Sequence, residues 1–596
     1  MISASALRRL RALPLAASAV MQKVDWRGLG HAFLFFWYFT AVCHFLLLLS
    51  GATGFIPLRR GLVFSLLWLI PLLIHPIGAR KIAAGIGVML WAFSLVGLGY
   101  FAIYRQEFSQ SVLFIIFDSN PAEASEYIDQ YLVWWMLPAL LVYSAGALWL
   151  WRRIRPIEMA PGSRRVAITL LVAMLLMSPA SKWLGQENAT LGYAVEQLAD
   201  RMEPAVPWQL VIGYVKYRQQ LSNMQALLES NQAIPPIGNL ADARAGLPGT
   251  LVLVIGESNN RQHMSLYGYS RPTTPQLDAL GTQLEVFTHV YASRPYTIEA
   301  LQQALTFADQ ENPDLYLTRP SLMNIMKQAG YRTYWITNQQ TLTKRNTMLT
   351  NFSKQMDEQV YLNHSRAQNS YQFDGSVLEP FGRILADGAE RRFIVVHLLG
   401  THMSYKYRYP DEFEVFKDRT GLPDWVNENH ATLINEYDNA MRYNDQVVAG
   451  LIRQLDGAGG NTLLAYFSDH GEDVFDTPPH DFIGRNEARP TVPMYAIPFF
   501  LWTSESWKAH DPRRFDGKRN RSWQVSQLIH TWSDLAGLQF DGFDASRSLM
   551  SEDFKERPIL IGDPANRQGL IDMHDLQTQT RPDRMGRSGK GTNRVQ

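Results

Sequence analysis

The sequence predicts a two-part protein: an α-helical membrane domain with five transmembrane helices, followed by an α/β domain whose mixed, mostly parallel sheet is flanked by helices. Two observations carry this prediction. Long apolar stretches are concentrated in the first 185 residues, and from Thr250 onward short apolar runs alternate with helical patterns. Strands separated by helical segments are typical of a largely parallel sheet that is covered on both faces.

Five apolar stretches define the membrane domain, which we place at residues 1–185. A helix needs about 20 mostly apolar residues to cross the hydrocarbon core of a bilayer. The first four stretches meet or approach this length, and the fifth carries a proline and polar residues towards its end. The stretches are 32–50, 61–78, 82–104, 131–151 and 166–184.

The charges between these stretches predict how the chain is oriented. Arginine is frequent before the first stretch and again after the fourth, whereas the loop 106–130 is acidic. Loops rich in Lys and Arg stay on the cytoplasmic side, so we expect a cytoplasmic N-terminus. Five crossings would then place everything after about residue 186 on the opposite side of the membrane.

Composition excludes some other classes of protein. The net charge is +1 and no dense run of Lys or Arg is present, so we expect no nucleic-acid partner. Cys43 is the single cysteine and lies in the first apolar stretch, which rules out an intramolecular disulfide.

The polar part of the chain divides into three segments. Residues 186–247 are predicted as juxtamembrane helices and a linker, residues 248–566 as the α/β domain, and residues 567–596 as a polar tail that we expect to be disordered. Within the α/β domain the predicted strands are 251–255, 331–337, 392–399, 463–467 and 497–502, and the predicted helices are 320–329 and 434–455.

Two of the predicted strands are followed by residue types that commonly bind metal ions. Glu257 follows the apolar run 251–255, and Asp469 and His470 follow the run 463–467. Ligands and catalytic groups of α/β sheets collect beyond the carboxyl ends of the strands, so we expect these three side chains to meet. Two carboxylates and an imidazole suit zinc or manganese and leave a position for a nucleophile.

The residues around these ligands carry a resemblance to a known family. Gly256-Glu257-Ser258, the stretch Ser265-Leu266-Tyr267-Gly268-Tyr269-Ser270-Arg271-Pro272-Thr273-Thr274-Pro275 and Ser468-Asp469-His470-Gly471-Glu472 resemble the motifs of phosphoethanolamine transferases of the alkaline-phosphatase/sulfatase superfamily. The resemblance covers essentially the whole chain and is closest to the branch that modifies the lipopolysaccharide core.

This resemblance implies an alkaline-phosphatase-like fold and a zinc-dependent enzyme, with manganese as the alternative metal. The implied donor is phosphatidylethanolamine and the implied acceptor is lipopolysaccharide, so the enzyme would work at a lipid bilayer. The implied location is the bacterial inner membrane, as a multi-pass protein with a periplasmic catalytic domain.

The resemblance also implies roles for single residues. Thr297, about forty residues beyond Glu257, would be the nucleophile and a fourth metal ligand, although a threonine before a helix is ordinarily an N-cap. Ser258 is the weaker alternative nucleophile. His402 and His480 would contact the phosphoryl group or a second metal.

A further element lies in the acidic loop before the fourth apolar stretch. Ser119 and Glu123 stand where relatives hold the ethanolamine group, and an anionic partner near the membrane suits the ammonium of the donor. A solvated loop is the alternative interpretation of the same residues.

Three other functions use the same type of fold. A sulfatase or phosphodiesterase would pass the group to water, but the sequence has no Cys-x-Pro-x-Arg motif of the kind sulfatases use. A phosphoglycerol transferase would differ in the donor head group. A non-catalytic lipid sensor should have lost metal ligands, and here they are all present.

Overall fold

The computed structural model describes thirteen stretches of the chain, and everything below refers to them. They are residues 24–50, 55–104, 134–185, 195, 198–199, 201–230, 235–339, 347–363, 373–487, 489–511, 513, 515–564 and 567–579. The chain forms two compact units, Met1–Gln220 and Leu221–Gln596. Ser119 and Glu123 lie outside the described residues.

The described residues of the first unit are mainly helical. Three helical segments in its described residues are long and apolar enough to cross a membrane: Trp26–Leu49, Phe55–Ile74 and Pro76–Ala102. They correspond to the first three predicted spans. The fourth and fifth spans stay predictions, and the helix Met136–Arg152 at the fourth has only 17 residues. The helices that lie in this unit are α1 (Trp26–Leu49), α2 (Phe55–Ser65), α3 (Leu69–Ile74), α4 (Ala79–Tyr104), α5 (Met136–Arg152) and α6 (Pro161–Gly185). A further helix, α7 (Trp208–Ser230), begins in this unit and ends beyond Gln220.

The second unit contains a seven-stranded sheet. Its strands are β1 (Gly249–Gly256), β2 (Leu284–Phe287), β3 (Arg332–Thr337), β4 (Glu358–Tyr361), β5 (Arg391–His397), β6 (Thr462–Ser468) and β7 (Phe499–Thr503). Their order in the sheet is β2-β7-β6-β1-β5-β3-β4, in which β1, β3, β4, β5 and β6 are parallel and β7 runs antiparallel to both β6 and β2. This confirms the predicted mixed, mostly parallel sheet.

Helices accompany the sheet, as the alternating pattern predicted. The longest has 31 residues, and the side chain of Asn427 caps its first turn by accepting a hydrogen bond from the His430 amide. The helices are α8 (Pro275–Leu280), α9 (Thr297–Ala304), α10 (Leu322–Gln328), α11 (Thr347–Lys354), α12 (Leu378–Leu385), α13 (Glu428–Ala458), α14 (Val492–Tyr495), α15 (Glu505–His510), α16 (Leu528–Ala536) and α17 (Met573–Gln579).

Strand β1 lies at the centre of the sheet and is buried on both faces. Leu251 and Leu253 belong to one apolar core, while Val252 and Val254 belong to a second core on the other face. Side chains of a strand alternate between faces, so a central strand with helices on both sides needs an unbroken apolar run. That requirement explains why residues 251–255 were recognisable as a strand.

The prediction of a disordered tail from residue 567 is wrong for its first part. Residues 571 and 572 pair antiparallel with residues 560 and 561, and α17 follows directly. Met573 is 1% exposed and Leu576 is 7% exposed, both in an apolar cluster with Met494 and Tyr495. A few apolar side chains hold this segment, and residues 580–596 lie outside the described part.

Candidate metal centre

The carboxyl ends of β1 and β6 bring the predicted ligands together. Gly256 is aligned with Ser468 in the parallel pair, and the Asp469 amide donates a hydrogen bond to the Gly256 carbonyl at 3.1 Å. The residues that follow, Glu257 on one strand and Asp469 and His470 on the other, therefore leave the sheet side by side. Their ligand atoms all lie within 4.8 Å of one another, and all three residues are fully buried.

Thr297 completes this cluster from the start of α9. Its Oγ1 lies 3.0 Å from Oε2 of Glu257, to which it donates a hydrogen bond, and 3.3 Å from Nε2 of His470. The N-cap of α9 is Tyr296, so Thr297 is the first helical residue and its hydroxyl is directed at the cluster. The ordinary N-cap interpretation of Thr297 is therefore wrong for this helix.

Ser258, the alternative nucleophile, supports the cluster instead of opening onto it. Its Oγ donates to Oε1 of Glu257 at 2.9 Å, and its amide donates to Oδ1 of Asp469 at 3.1 Å. The residue has a φ of 60° and is 0% exposed, whereas Thr297 is half-buried. A substrate therefore has easier access to Thr297 than to Ser258.

The charges of the cluster are those of a site built around a cation. Burial opposes ionisation of Glu257, but the hydrogen bond and charge of His470, with His402 and Arg485, hold the pKa of this carboxyl well below its usual range. Burial and the neighbouring Glu257 charge raise the pKa of Asp469 well above its usual range. Burial, together with Arg485, lowers the pKa of His470, which keeps the imidazole neutral.

The donor atoms fit a zinc or manganese ion. Nδ1 of His470 donates to the Gly471 carbonyl at 3.0 Å, which leaves the lone pair of Nε2 facing Oδ2 of Asp469 at 3.2 Å and Oε1 of Glu257 at 3.3 Å. Oδ2 of Asp469 is buried and accepts no hydrogen bond from the described residues. Three electron-pair donors of these types converge here, and a metal ion would take the place of the Arg485 donor at Nε2 of His470, so these residues suit a metal ion.

Several polar residues that hold Glu257 were not predicted from the sequence. Nε2 of Gln339, just beyond β3, donates to Oε2 of Glu257 at 3.1 Å and to the Leu398 carbonyl at 2.8 Å. The Thr401 amide, beyond β5, donates to the Glu257 carbonyl at 3.0 Å, and the Tyr437 hydroxyl donates to the Ser258 carbonyl at 2.7 Å. For Gln339 and Thr401, the position after a neighbouring strand was the available signal, whereas Tyr437 lies within α13.

Arg485 was also missed, although its guanidinium lies close to two of the ligands. Its Nη1 donates to Nε2 of His470 at 2.5 Å and lies 3.7 Å from Oε1 of Glu257. Residues 483 and 484 pair antiparallel with Val474 and Asp473, and this hairpin returns the chain towards the metal motif. Nothing in the local sequence distinguishes Arg485 from an ordinary surface arginine.

The two predicted histidines lie in different surroundings. His402 follows β5, and its charge contributes to the low pKa of Glu257. The His480 ring donates to the Phe475 carbonyl at 2.6 Å and stacks on Trp425 with 3.8 Å between ring centroids. In the described part of the chain no hydrogen bond joins His480 to the metal ligands, so its role stays a prediction.

Comparison with known proteins places this fold and site in context. Residues 249–538 match the sulfatase family. The phosphoethanolamine transferase EptC of Escherichia coli K12 is 51% identical over 556 residues, which cover 93% of this chain and 96% of the relative.

Two solved structures extend the comparison. The zinc complex of the C-terminal periplasmic domain of EptC from Escherichia coli is 55% identical and matches 58% of this chain and 97% of its own, with a TM-score of 0.56. The integral membrane lipooligosaccharide phosphoethanolamine transferase A of Neisseria meningitidis matches 87% of this chain and 98% of its own with a TM-score of 0.58. At 16% identity, the second likeness concerns the fold alone.

Proposed function

The chain belongs to the phosphoethanolamine transferase family, and from that premise we propose that it moves phosphoethanolamine from phosphatidylethanolamine to lipopolysaccharide through an ester on Thr297. One observation carries the proposal. The Thr297 hydroxyl, at the start of a helix, lies 3.0 Å from Glu257 and 3.3 Å from His470 in a cluster suited to a metal.

The first step would break the bond between phosphorus and diacylglycerol. The Thr297 oxygen attacks the donor phosphorus, diacylglycerol leaves and takes up a proton, and phosphoethanolamine remains as a phosphodiester on Thr297. Free amide groups at the N-terminus of α9 and its helix dipole would stabilise negative charge on the phosphoryl oxygens. His402 and His480 are proposed to hold the phosphoryl group or handle protons.

The second step would transfer the group to the acceptor. A hydroxyl or phosphate oxygen of lipopolysaccharide attacks the same phosphorus, and the Thr297 oxygen leaves and is regenerated. If water attacked instead, the enzyme would be a hydrolase, and a different donor head group would make it a phosphoglycerol transferase. We propose lipopolysaccharide because the sequence motifs are most similar to the branch that modifies its core.

We propose zinc as the metal, held by Glu257, Thr297, Asp469 and His470, with manganese as the alternative. When bound, the ion would supply the positive charge that favours the ionised threonine oxygen and offsets charge on the phosphoryl group. The solved zinc complex of the EptC periplasmic domain and the donor atoms of this cluster both support zinc.

We further propose that the protein spans the bacterial inner membrane several times with its catalytic unit in the periplasm. The three apolar helical segments and the basic N-terminus support this placement. A membrane anchor suits the proposed donor, because phosphatidylethanolamine stays in the bilayer and the catalytic unit must work at its surface. Ser119 and Glu123 are proposed to hold the ethanolamine ammonium.

The decisive experiment traps the proposed ester. Purified protein is incubated with phosphatidylethanolamine vesicles without acceptor, and peptide mass spectrometry locates any phosphoethanolamine group. We expect the group on Thr297 in the wild type and in Ser258→Ala. Thr297→Ala should form no adduct and should not modify lipopolysaccharide, while Thr297→Ser should retain part of the activity because the hydroxyl remains.

Zinc content separates the nucleophile from the other ligands. Thr297→Ala should retain most of its zinc because three ligands survive, whereas Asp469→Ala should lose most of it. An adduct on Ser258 would reassign the nucleophile. Full transfer by Thr297→Ala without any adduct would show direct attack by the acceptor and would contradict the two-step mechanism.

A further inference from the structure

Arg485 is a nearly buried cation that donates a hydrogen bond to Nε2 of His470, the atom with which His470 would bind a metal ion. Its side chain is 12% exposed, and Nη1 donates to Nε2 of His470 at 2.5 Å. A metal ion ligated by His470 would take that lone pair, and a guanidinium in proteins does not lose its proton. In the metal-loaded protein, Arg485 must therefore find another acceptor.

Glu472 offers that acceptor on one side. Its carboxylate is 0% exposed and has the Tyr405 side chain as a hydrogen-bonding neighbour, which leaves lone pairs for a further donor. The hairpin that pairs Gly484 with Asp473 places Arg485 beside this carboxylate, and a Cβ on Gly484 would lie 3.9 Å from Oε1 of Glu472.

A guanidinium has five N–H donors arranged as a fork, so one carboxylate does not exhaust it. Arg294 provides the contrast within the same region. It lies three residues before Thr297 and forms two hydrogen bonds to Glu487, at 2.5 and 3.0 Å. The guanidinium of Arg294 is therefore already paired with the carboxylate of Glu487. Arg485 instead donates to Nε2 of His470, an atom that a bound metal ion would occupy.

Nη1 of Arg485 also lies near the position that the donor phosphorus would take when the Thr297 oxygen attacks it. Nε2 of His470 is 3.3 Å from the Thr297 hydroxyl and 2.5 Å from Nη1 of Arg485. An oxygen on a phosphorus atom bonded to Thr297 would therefore lie within reach of the guanidinium. Arginine binds phosphoryl oxygens through charge-assisted hydrogen bonds, often two at once.

We propose that Arg485 binds a non-bridging oxygen of the transferred phosphoryl group, while its other edge is held by Glu472. This inference rests on the proposed function for the identity of the phosphoryl group. It makes Arg485 a catalytic residue that contacts substrate in both transfer steps and not a permanent partner of the metal ligands.

The test uses the full-length protein and inorganic phosphate as the probe. Arg485→Met and Arg485→Lys are compared with Arg392→Met, which changes an arginine of the same 12% exposure at the opposite end of β5. Zinc affinity is measured by competition with a chelator, and phosphate affinity is measured on the zinc-loaded proteins by calorimetry.

We expect Arg485→Met to bind zinc at least as tightly as the wild type, because the guanidinium no longer competes for His470. Its phosphate affinity should fall about 10- to 100-fold, as expected for a lost charge-assisted hydrogen bond. Arg485→Lys should recover part of this loss because it restores the charge without the fork. Arg392→Met should match the wild type in both measurements.

Two results would overturn the inference. Unchanged phosphate affinity in Arg485→Met would show that the guanidinium does not contact the phosphoryl group. A fall in zinc affinity that alone accounts for the weaker phosphate binding would make Arg485 a support of the metal ligands. A wild type that binds phosphate through Arg485 but transfers no phosphoethanolamine would contradict the proposed function and leave this inference standing.

Discussion

His263 is a buried imidazole held between two aspartates. Its Nδ1 lies 2.7 Å from Oδ1 of Asp438, and its Nε2 lies 3.0 Å from Oδ1 of Asp476. Burial disfavours the charged ring, but Asp476 and Asp438 outweigh it and raise the pKa of His263 to about 10. A doubly hydrogen-bonded imidazolium therefore ties α13 to the loop that follows the metal motif.

This arrangement predicts a loss of stability in alkali. The folded-state pKa of about 10 lies above the ordinary value of 6.5, so the stabilisation is fully present below about pH 6.5 and is lost as the pH rises towards 10. The free energy of unfolding, measured with denaturant at several pH values, should fall by an amount on the order of a few kcal/mol across this window.

His263→Asn should be less stable at neutral pH and should lose the part of the pH dependence that His263 contributes. His530 supplies the control, because burial lowers its pKa to about 4 and it is already neutral throughout the window. An alkaline slope as steep in His263→Asn as in the wild type would contradict the assignment of this slope to His263.

Among single residues, residue type and position relative to the strands decided which site residues could be predicted from the sequence. The convergence of Glu257, Asp469 and His470 was predictable because they follow two apolar runs that are typical of buried strands. Gln339 and Arg485 were not, because their contacts depend on loop paths that no periodic pattern encodes. His402 and His480 were named by family resemblance, and their roles stay predictions.

Among the elements, the loop after β5 fixes the backbone of Glu257. Asp374 accepts hydrogen bonds from the amides of Leu399 and Gly400 at 2.9 and 2.7 Å, which holds the loop against the end of β1. Gly400 has a φ of 55°, and a Cβ on it would lie 2.6 Å from the carbonyl oxygen of Glu257. Only glycine fits this close approach.

Gly400→Ala should therefore disturb the metal centre without touching a ligand. We expect zinc affinity to fall about 10- to 100-fold, as is typical when a group that orients a metal ligand is displaced. Gly388→Ala is the matched control at the other end of β5. Gly388 also has a positive φ, 80°, but a Cβ there would meet nothing within 4 Å.

The control should lose roughly 1–2 kcal/mol of stability from backbone strain and keep its zinc affinity. Chelator competition and thermal unfolding separate the two effects. Equal zinc affinity in both variants would show that the backbone of Glu257 is not held by this loop.

Predictability also differed between elements. The predicted strands 251–255 and 463–467 fall inside β1 and β6, and the predicted helix 434–455 falls inside α13, because long buried runs carry a strong signal. The segment 567–579 was misjudged, since its order depends on a few apolar side chains that pack on α14 and its surroundings. Such sparse tertiary contacts leave no periodic pattern.

For the whole molecule, stability cannot depend on an internal disulfide. The chain has one cysteine, Cys43, so we expect the same melting temperature with and without reducing agent. A small domain that loses a native disulfide typically loses about 2–5 kcal/mol. A clear drop in reducing agent would reveal an intermolecular bridge through Cys43, which non-reducing electrophoresis would detect as a dimer.

The central position of β1 in the sheet also governs when the metal centre can come into existence. Glu257 and Asp469 are more than 200 residues apart in the chain, and they meet only after β1 and β6 have paired. During synthesis, a chain that has been made only as far as the residues between Glu257 and Asp469 contains one of the two ligand carboxylates and cannot bind the metal ion at this centre. Closing so long a loop is slow. Acquisition of the metal would thus mark a late event in folding, and a chain truncated before residue 469 would never acquire it.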